Sequence, residues 1–126
     1  IYLPRVEAPD FSALNDAEMT VLSQSRHSKK LRRGDYVIED HLDLHGLVSD
    51  QAKQETHEFI NECARDSVRA VCIVHGKGHH SSGRKPVIKN RLIGWLSNNP
   101  HVSAVISAPV NDGGTGAVYV LLDKLK

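Results

Sequence analysis

The stretch LDLHGLVSDQAKQETHEFINECARDSVRAVCIVHGKG, residues 42–78, changes its hydrophobic period twice. Asp40 to His45 is short and mixed, and Gly46 then releases the chain. Ser49 has the residue type of a helix N-cap, with Asp50 favourable in the first turn. Ala52, Thr56, Phe59, Ile60 and Cys63 recur at helical spacing and make one apolar stripe, opposite a face rich in acids. Ala70-Val71-Cys72-Ile73-Val74 is a compact β-branched run of the kind buried on both faces of a sheet, and His75-Gly76-Lys77-Gly78 ends it. A strand-helix-strand unit of about 30 residues implies two parallel strands joined by a right-handed crossover.

Working outward, Pro86 suits the first position of a second helix, in which Ile88, Leu92, Trp95 and Leu96 follow at spacings of three and four until Asn98-Asn99-Pro100. Val102 to Ala108 reads as a strand stopped by Pro109, Asn111-Asp112-Gly113-Gly114 as a turn, and Ala117 to Leu122 as a last strand pairing with its predecessor in a hairpin. The order β-α-β-α-β-β predicts an α/β two-layer sandwich with a mixed four-stranded sheet over residues 41–126. Residues 1–40 read as an N-terminal extension: Pro4 and Pro9 punctuate it, and Asn15 or Asp16 caps a short helix through Ala17, Met19, Val21 and Leu22. The run Arg26-His27-Ser28-Lys29-Lys30-Leu31-Arg32-Arg33 then reads as a basic arm or solvated linker.

At 126 residues, with 40% hydrophobic and 25% charged, the chain supports one folded core and resembles neither a disordered nor a membrane protein. There is no apolar run approaching the ~18 residues of a spanning helix, and no secretory signal follows Ile1. Cys63 and Cys72 lie inside apolar patterns, which predicts two buried, reduced thiols and a cytoplasmic location. The net charge of +1 hides a polarity. No acid occurs between Asp66 and Asp112, a window holding Arg69, Lys77, Arg84, Lys85, Lys89 and Arg91, whereas Asp50, Glu55, Glu58, Glu62 and Asp66 precede it. A basic half of this kind suits a polyanion partner.

Side chains two apart on a strand share a face, so Asp43 and His45 are expected to project together from the end of the first strand, with His75 ending the second in the corresponding place. Ligands of open α/β sheets bind at the carboxyl ends of the strands, where these three residues would meet. Gly76-Lys77-Gly78 then offers exposed backbone N–H groups and a cation to a phosphate, and His79, Ser81, Arg84, Lys85 and Lys89 extend a polar basic rim. Two histidines and a carboxylate that orients an imidazole suit proton transfer near neutral pH, and a basic glycine-rich loop suits a phosphorane-like transition state. Phosphodiester cleavage follows as the expected chemistry. The same side chains could alternatively hold a divalent ion, Mg²⁺ or Mn²⁺, that activates water, although one carboxylate is fewer than Mg²⁺ usually recruits. A non-catalytic DNA- or RNA-binding module is the alternative function. Phe59 and Trp95 are expected in the core, and His57 and His101 at the surface.

Leu42-Asp43-Leu44-His45-Gly46, His75-Gly76-Lys77-Gly78, Pro86-Val87-Ile88-Lys89, Trp95-Leu96 and Gly113-Gly114-Thr115-Gly116-Ala117 together resemble the Smr (small MutS-related) domain, in order, over residues 41 to 123. The resemblance implies a nucleic-acid endonuclease acting on branched or nicked DNA or on RNA, including messenger on the ribosome. It carries Asp43 and His45 as catalytic residues and Gly76, Lys77 and Gly78 as the substrate-binding loop, with no membrane partner and no required cofactor. The longer loop before Pro86 and the preceding extension resemble the stand-alone bacterial members, SmrA-like endonucleases.

Overall fold

The computed structural model describes residues 26–76 and 87–123. Its elements are α1 (Arg26–Arg33), β1 (Asp40–Asp43), α2 (Ser49–Arg65), β2 (Ala70–Val74), α3 (Val87–Ser97), β3 (Val102–Ser107) and β4 (Ala117–Leu122), with two 3₁₀ turns, Val110–Asp112 and Gly114–Gly116, between β3 and β4. The strands pair in the order β1-β2-β4-β3. β1 runs parallel to β2, and β4 lies antiparallel to both β2 and β3, which makes the mixed sheet and the β3–β4 hairpin the sequence predicts.

Residue period explains which side of the sheet each element covers. On α2 the buried residues Ala52, Thr56, Ile60 and Cys63 form one stripe, and on α3 Leu92 and Leu96 do the same. They pack with Val71, Ile73, Val105, Val118, Val120 and Leu122, one parity of each strand, while Phe59 and Trp95 lie partly buried beside them. The Ser49 hydroxyl does not cap α2. It accepts a 2.7 Å bond from Arg91 of α3, and Val48 takes the N-cap position. At the other end, Ser67 adopts a left-handed φ of 60° and lets Val68 N–H reach Cys63 O at 2.9 Å, a turn that glycine more often supplies.

The opposite parity, Ala70, Cys72, Ala104, Ile106, Ala117, Tyr119 and Leu121, forms a second cluster on the other face. The basic run expected to be an arm or linker covers it. Arg26–Arg33 is an α-helix whose Leu31 is 1% exposed, with Ser28, three residues earlier, buried on the same side. Tyr36 and Ile38 continue the cover. A single large apolar residue among five cations gives almost no periodic signal, yet burying one Leu side chain contributes about 1.5–3 kcal/mol. The two-layer unit of sheet, α2 and α3 therefore carries α1 on its reverse side, and β4 is buried along its whole length. The expected short helix from Ala17 to Leu22 and the expected helical start at Pro86 lie outside the described residues. Cys63 and Cys72 are buried free thiols in separate core clusters. Among the described residues no helix is long and apolar enough to cross a membrane.

Candidate functional site

β1 ends at Asp43, but its pairing runs one residue further, because Leu44 N–H donates to Val74 O at 2.7 Å. Asp43 Oδ1 accepts the main-chain N–H of His45 at 2.8 Å, an Asx-type turn, and the chain then leaves through Gly46 toward α2. This oxygen therefore holds the turn that presents His45. On the neighbouring strand, His75 N–H and Gly76 N–H both donate to Gly116 O, at 2.9 and 3.0 Å. Gly76 has a left-handed φ of 84°, and a Cβ there would lie 3.4 Å from His45 Cδ2, so the His45 ring rests against this glycine. Gly113 is equally constrained: with φ at 105°, an added Cβ would fall 2.7 Å from Ala117 Cβ. The Asp-x-His-Gly, His-Gly and Gly-Gly-Thr-Gly segments are thus joined by contact and hydrogen bonds at one end of the sheet.

His45 and Asp43 are exposed, while His75 is only 6% exposed. The His75 Nδ1 lies 2.6 Å from Gly76 O, and since a carbonyl only accepts, Nδ1 carries the proton. Burial pushes the pKa of His75 down from 6.5 to about 4, and the Lys89 ammonium adds to that, against the opposing bond to Gly76 O. At neutral pH the ring is therefore neutral, with a lone pair on Nε2. That nitrogen is buried and has no hydrogen-bond partner among the described residues. Leaving a buried acceptor unpaired is costly, about 1–3 kcal/mol.

Of the residues expected in the site, Asp43, His45, His75, Gly76 and Lys89 gather at this end of the sheet, Lys89 through its effect on His75. Lys77, Gly78, His79, Ser81, Arg84 and Lys85 lie outside the described residues. The acid-free window is not one surface. Arg69 sits at the far end of β2, where its Nε donates to Leu122 O at 2.9 Å and its guanidinium lies 5.4 Å from the Tyr36 ring centroid. His57 and His101, expected at the surface, are half-buried. On the reverse face lies a group the sequence reading does not single out. Donor atoms of His41, Cys72 and Asp112 all fall within 4.8 Å of one another, and Tyr119 OH donates to Asp112 Oδ2 at 2.6 Å. Among the described residues it is the one such three-donor set; Asp43, His45 and His75 do not form one. Only the strand register places His41 beside Cys72 and Cys72 beside Tyr119, and a single sequence carries no register.

Comparison with known proteins gives a consistent result. The family profile of the Smr domain matches residues 42–123. The chain is 44% identical over 95 residues to the ribosome rescue factor SmrB of Klebsiella pneumoniae, covering 75% of this chain and 49% of that protein. It is 45% identical over 96 residues to the protein of that name from Escherichia coli, covering 76% and 49%. The chain thus spans about half the length of these curated relatives, whose names are SmrB where the long loop suggested SmrA-like proteins. Among solved structures, YdaL, a stand-alone small MutS-related protein from Escherichia coli, superposes with a TM-score of 0.70 at 29% identity, over 82% of this chain and 80% of that one. The Smr domain of Thermus thermophilus MutS2 shares the fold, with a TM-score of 0.59 at 24% identity, over 67% and 98%. With the profile spanning β1 to β4 and the Asp-x-His-Gly and His-Gly segments meeting at one end of the sheet, the chain belongs to the Smr domain family.

Proposed function

We propose that this protein is a nucleic-acid endonuclease that cleaves phosphodiester bonds in RNA, with ribosome-bound messenger as its substrate and the cytoplasm as its location. The observation that carries this reading is the exposed imidazole of His45, held against Gly76 at the point where the Gly76-Lys77-Gly78 segment begins. A phosphate at Gly76 would lie beside the imidazole. His45 then takes the proton of the ribose 2′-hydroxyl as the oxygen attacks phosphorus, and the 5′-oxygen leaves with a proton from water or from the protonated ring. Lys77, Arg84 and Lys85, with Lys89, offset the charge that develops on the phosphorane. Asp43 fixes the turn that aims His45. His75, neutral at pH 7, offers its Nε2 lone pair as a hydrogen-bond acceptor to the substrate.

The ribosomal substrate is favoured by the relatives named ribosome rescue factor. A metal-free route is favoured by the donor chemistry, since one carboxylate beside histidines is fewer oxygen ligands than Mg²⁺ usually recruits. The test is incubation of purified protein with end-labelled RNA and DNA panels, free and ribosome-bound, in excess EDTA and in Mg²⁺ or Mn²⁺. The expected result is RNA cleavage that persists in EDTA, leaves a 2′,3′-cyclic phosphate and stops when the 2′-hydroxyl at the cut is replaced. Hydrolytic, EDTA-sensitive cleavage would overturn the metal-free route. Absence of cleavage with retained binding would replace the enzyme by a binding module.

A further inference from the structure

The reverse face of the sheet carries a row of side chains that the proposed cleavage does not use. In the register of β1, β2 and β4, His41 is level with Cys72 and Cys72 with Tyr119, so these residues stand side by side across three strands. Asp112, from the 3₁₀ turn after β3, closes over the row. Its Oδ2 accepts the Tyr119 hydroxyl at 2.6 Å and lies 3.7 Å from His41 Nε2.

That second distance is informative. It is too long for a hydrogen bond. It is close to the spacing of about 3.4 Å between two ligand atoms on one tetrahedral zinc ion, given metal–ligand bonds of about 2.0–2.2 Å. The third donor, Cys72 Sγ, completes a set whose atoms all lie within 4.8 Å of one another, so closure on an ion needs small side-chain movements and no rearrangement of the strands.

We propose that His41, Cys72 and Asp112 bind one divalent ion of borderline softness, with Zn²⁺ as the best match, and that Tyr119 positions the Asp112 carboxylate. The donor set selects the class of ion. One imidazole nitrogen, one thiolate and one carboxylate suit zinc, whereas Mg²⁺ and Mn²⁺ favour oxygen ligands alone. The Tyr119 bond supplies the outer partner that a ligating carboxylate usually has. Cys72 is fully buried, while His41 and Asp112 are accessible, so the ion reaches the thiolate from the solvent side and keeps a fourth position for water. Bound there, it ties β1 and β2 to the turn leading into Gly113–Gly116, whose Gly116 carbonyl holds His75 and Gly76. The ion would brace the cleavage site from behind without taking part in it, and its binding does not depend on whether the protein cleaves RNA.

Titration of the metal-free protein with Co²⁺, followed by absorption spectroscopy, tests this directly. The expected result is one equivalent bound, with a thiolate-to-cobalt charge-transfer band and the visible bands of a four-coordinate site, both lost on addition of Zn²⁺. Thermal melting should shift upward with either ion. His41→Ala, at an exposed position, should weaken binding more than about 100-fold, and Tyr119→Phe by about 10–100-fold, the range for outer-partner losses. Asp112→Asn should weaken binding as His41→Ala does, and His45→Ala should leave it unchanged. Cys72→Ser should remove the charge-transfer band; because that position is fully buried, its fold is checked by circular dichroism, and the His41 and Asp112 variants decide the matter independently. Binding without a charge-transfer band, or binding as strong in His41→Ala and Asp112→Asn as in the parent protein, would overturn the site, as would no binding at micromolar Co²⁺ and Zn²⁺.

Discussion

His45 and His75 end adjacent parallel strands, and each is followed by a glycine with positive φ, yet one is exposed and the other is almost entirely buried. A single residue of register makes the difference. β1 pairs Asp43 with Val74, so one step further Leu44 stands level with His75, and two steps further His45 stands level with Gly76. His75 therefore shares the parity of Leu44 and of the core beneath α2 and α3, whereas His45 meets a residue without a side chain and lies over it. Two motifs that look equivalent along the chain give two different imidazoles, one open to a ligand and one buried and held neutral.

The strongest way to break this contrast is to exchange the roles. His45→Ala is expected to lower the cleavage rate by about 10²–10⁴ while affinity for uncleaved substrate stays within about threefold, measured by single-turnover kinetics and by binding. A similar rate loss in His75→Asn with unchanged stability would show that the buried ring does the proton transfer and would reverse the assignment.

Next in size is a pH effect specific to His75. Its folded-state pKa of about 4 lies below the ordinary 6.5, so the unfolded chain takes up the proton first. Stability is complete above about pH 6.5 and falls as the pH drops toward 4, by ~3 kcal/mol for this group. Urea melts at pH 7.5 and 4.5 should show this slope in the parent and its loss in His75→Asn, which retains an N–H donor for Gly76 O. An equal slope in both proteins would mean that another group is responsible.

Gly76→Ala probes the residue between the two rings. The left-handed φ of 84° costs an L side chain about 1–2 kcal/mol, and the melts should show that loss. At 3.4 Å the new methyl only touches His45 Cδ2, so the ring keeps its place and substrate affinity changes little.

Smallest is the effect at Asp43, where two substitutions separate geometry from charge. Asp43→Asn preserves an oxygen for the His45 N–H, and stability should stay within about 0.5 kcal/mol of the parent, whereas Asp43→Ala should lose about 1 kcal/mol. If cleavage also survives in Asp43→Asn, the residue works through the turn. If both variants lose the rate equally, its negative charge acts on the imidazole.

Much of this architecture is readable from the chain because its elements follow their periods without interruption. The stripe from Ala52 to Cys63 and the β-branched runs at Ala70–Val74 and Ala117–Leu122 identify the elements, and the long crossover identifies the parallel pair. Asp43, His45 and His75 are readable as strand-end polar residues beside glycines. The difference between the two histidines is not, because it depends on a register that only folding establishes. Helix α1 escapes for another reason: Leu31 is its one large buried apolar residue, and cations hide that anchor from any measure of periodicity. The His41–Cys72–Asp112 group combines residues 31 and 40 positions apart, with nothing local to mark it.

The order β1-β2-β4-β3 has a consequence for how the protein is made. Strand β4, the last of the described strands, is inserted between two that precede it, so during synthesis β3 waits without a neighbour in the sheet until Leu122 has emerged. The same strand brings in Gly116, whose carbonyl fixes His75 and Gly76. A nascent chain therefore cannot assemble this end of the sheet early: closing the sheet and fixing His75 and Gly76 fall in one late step.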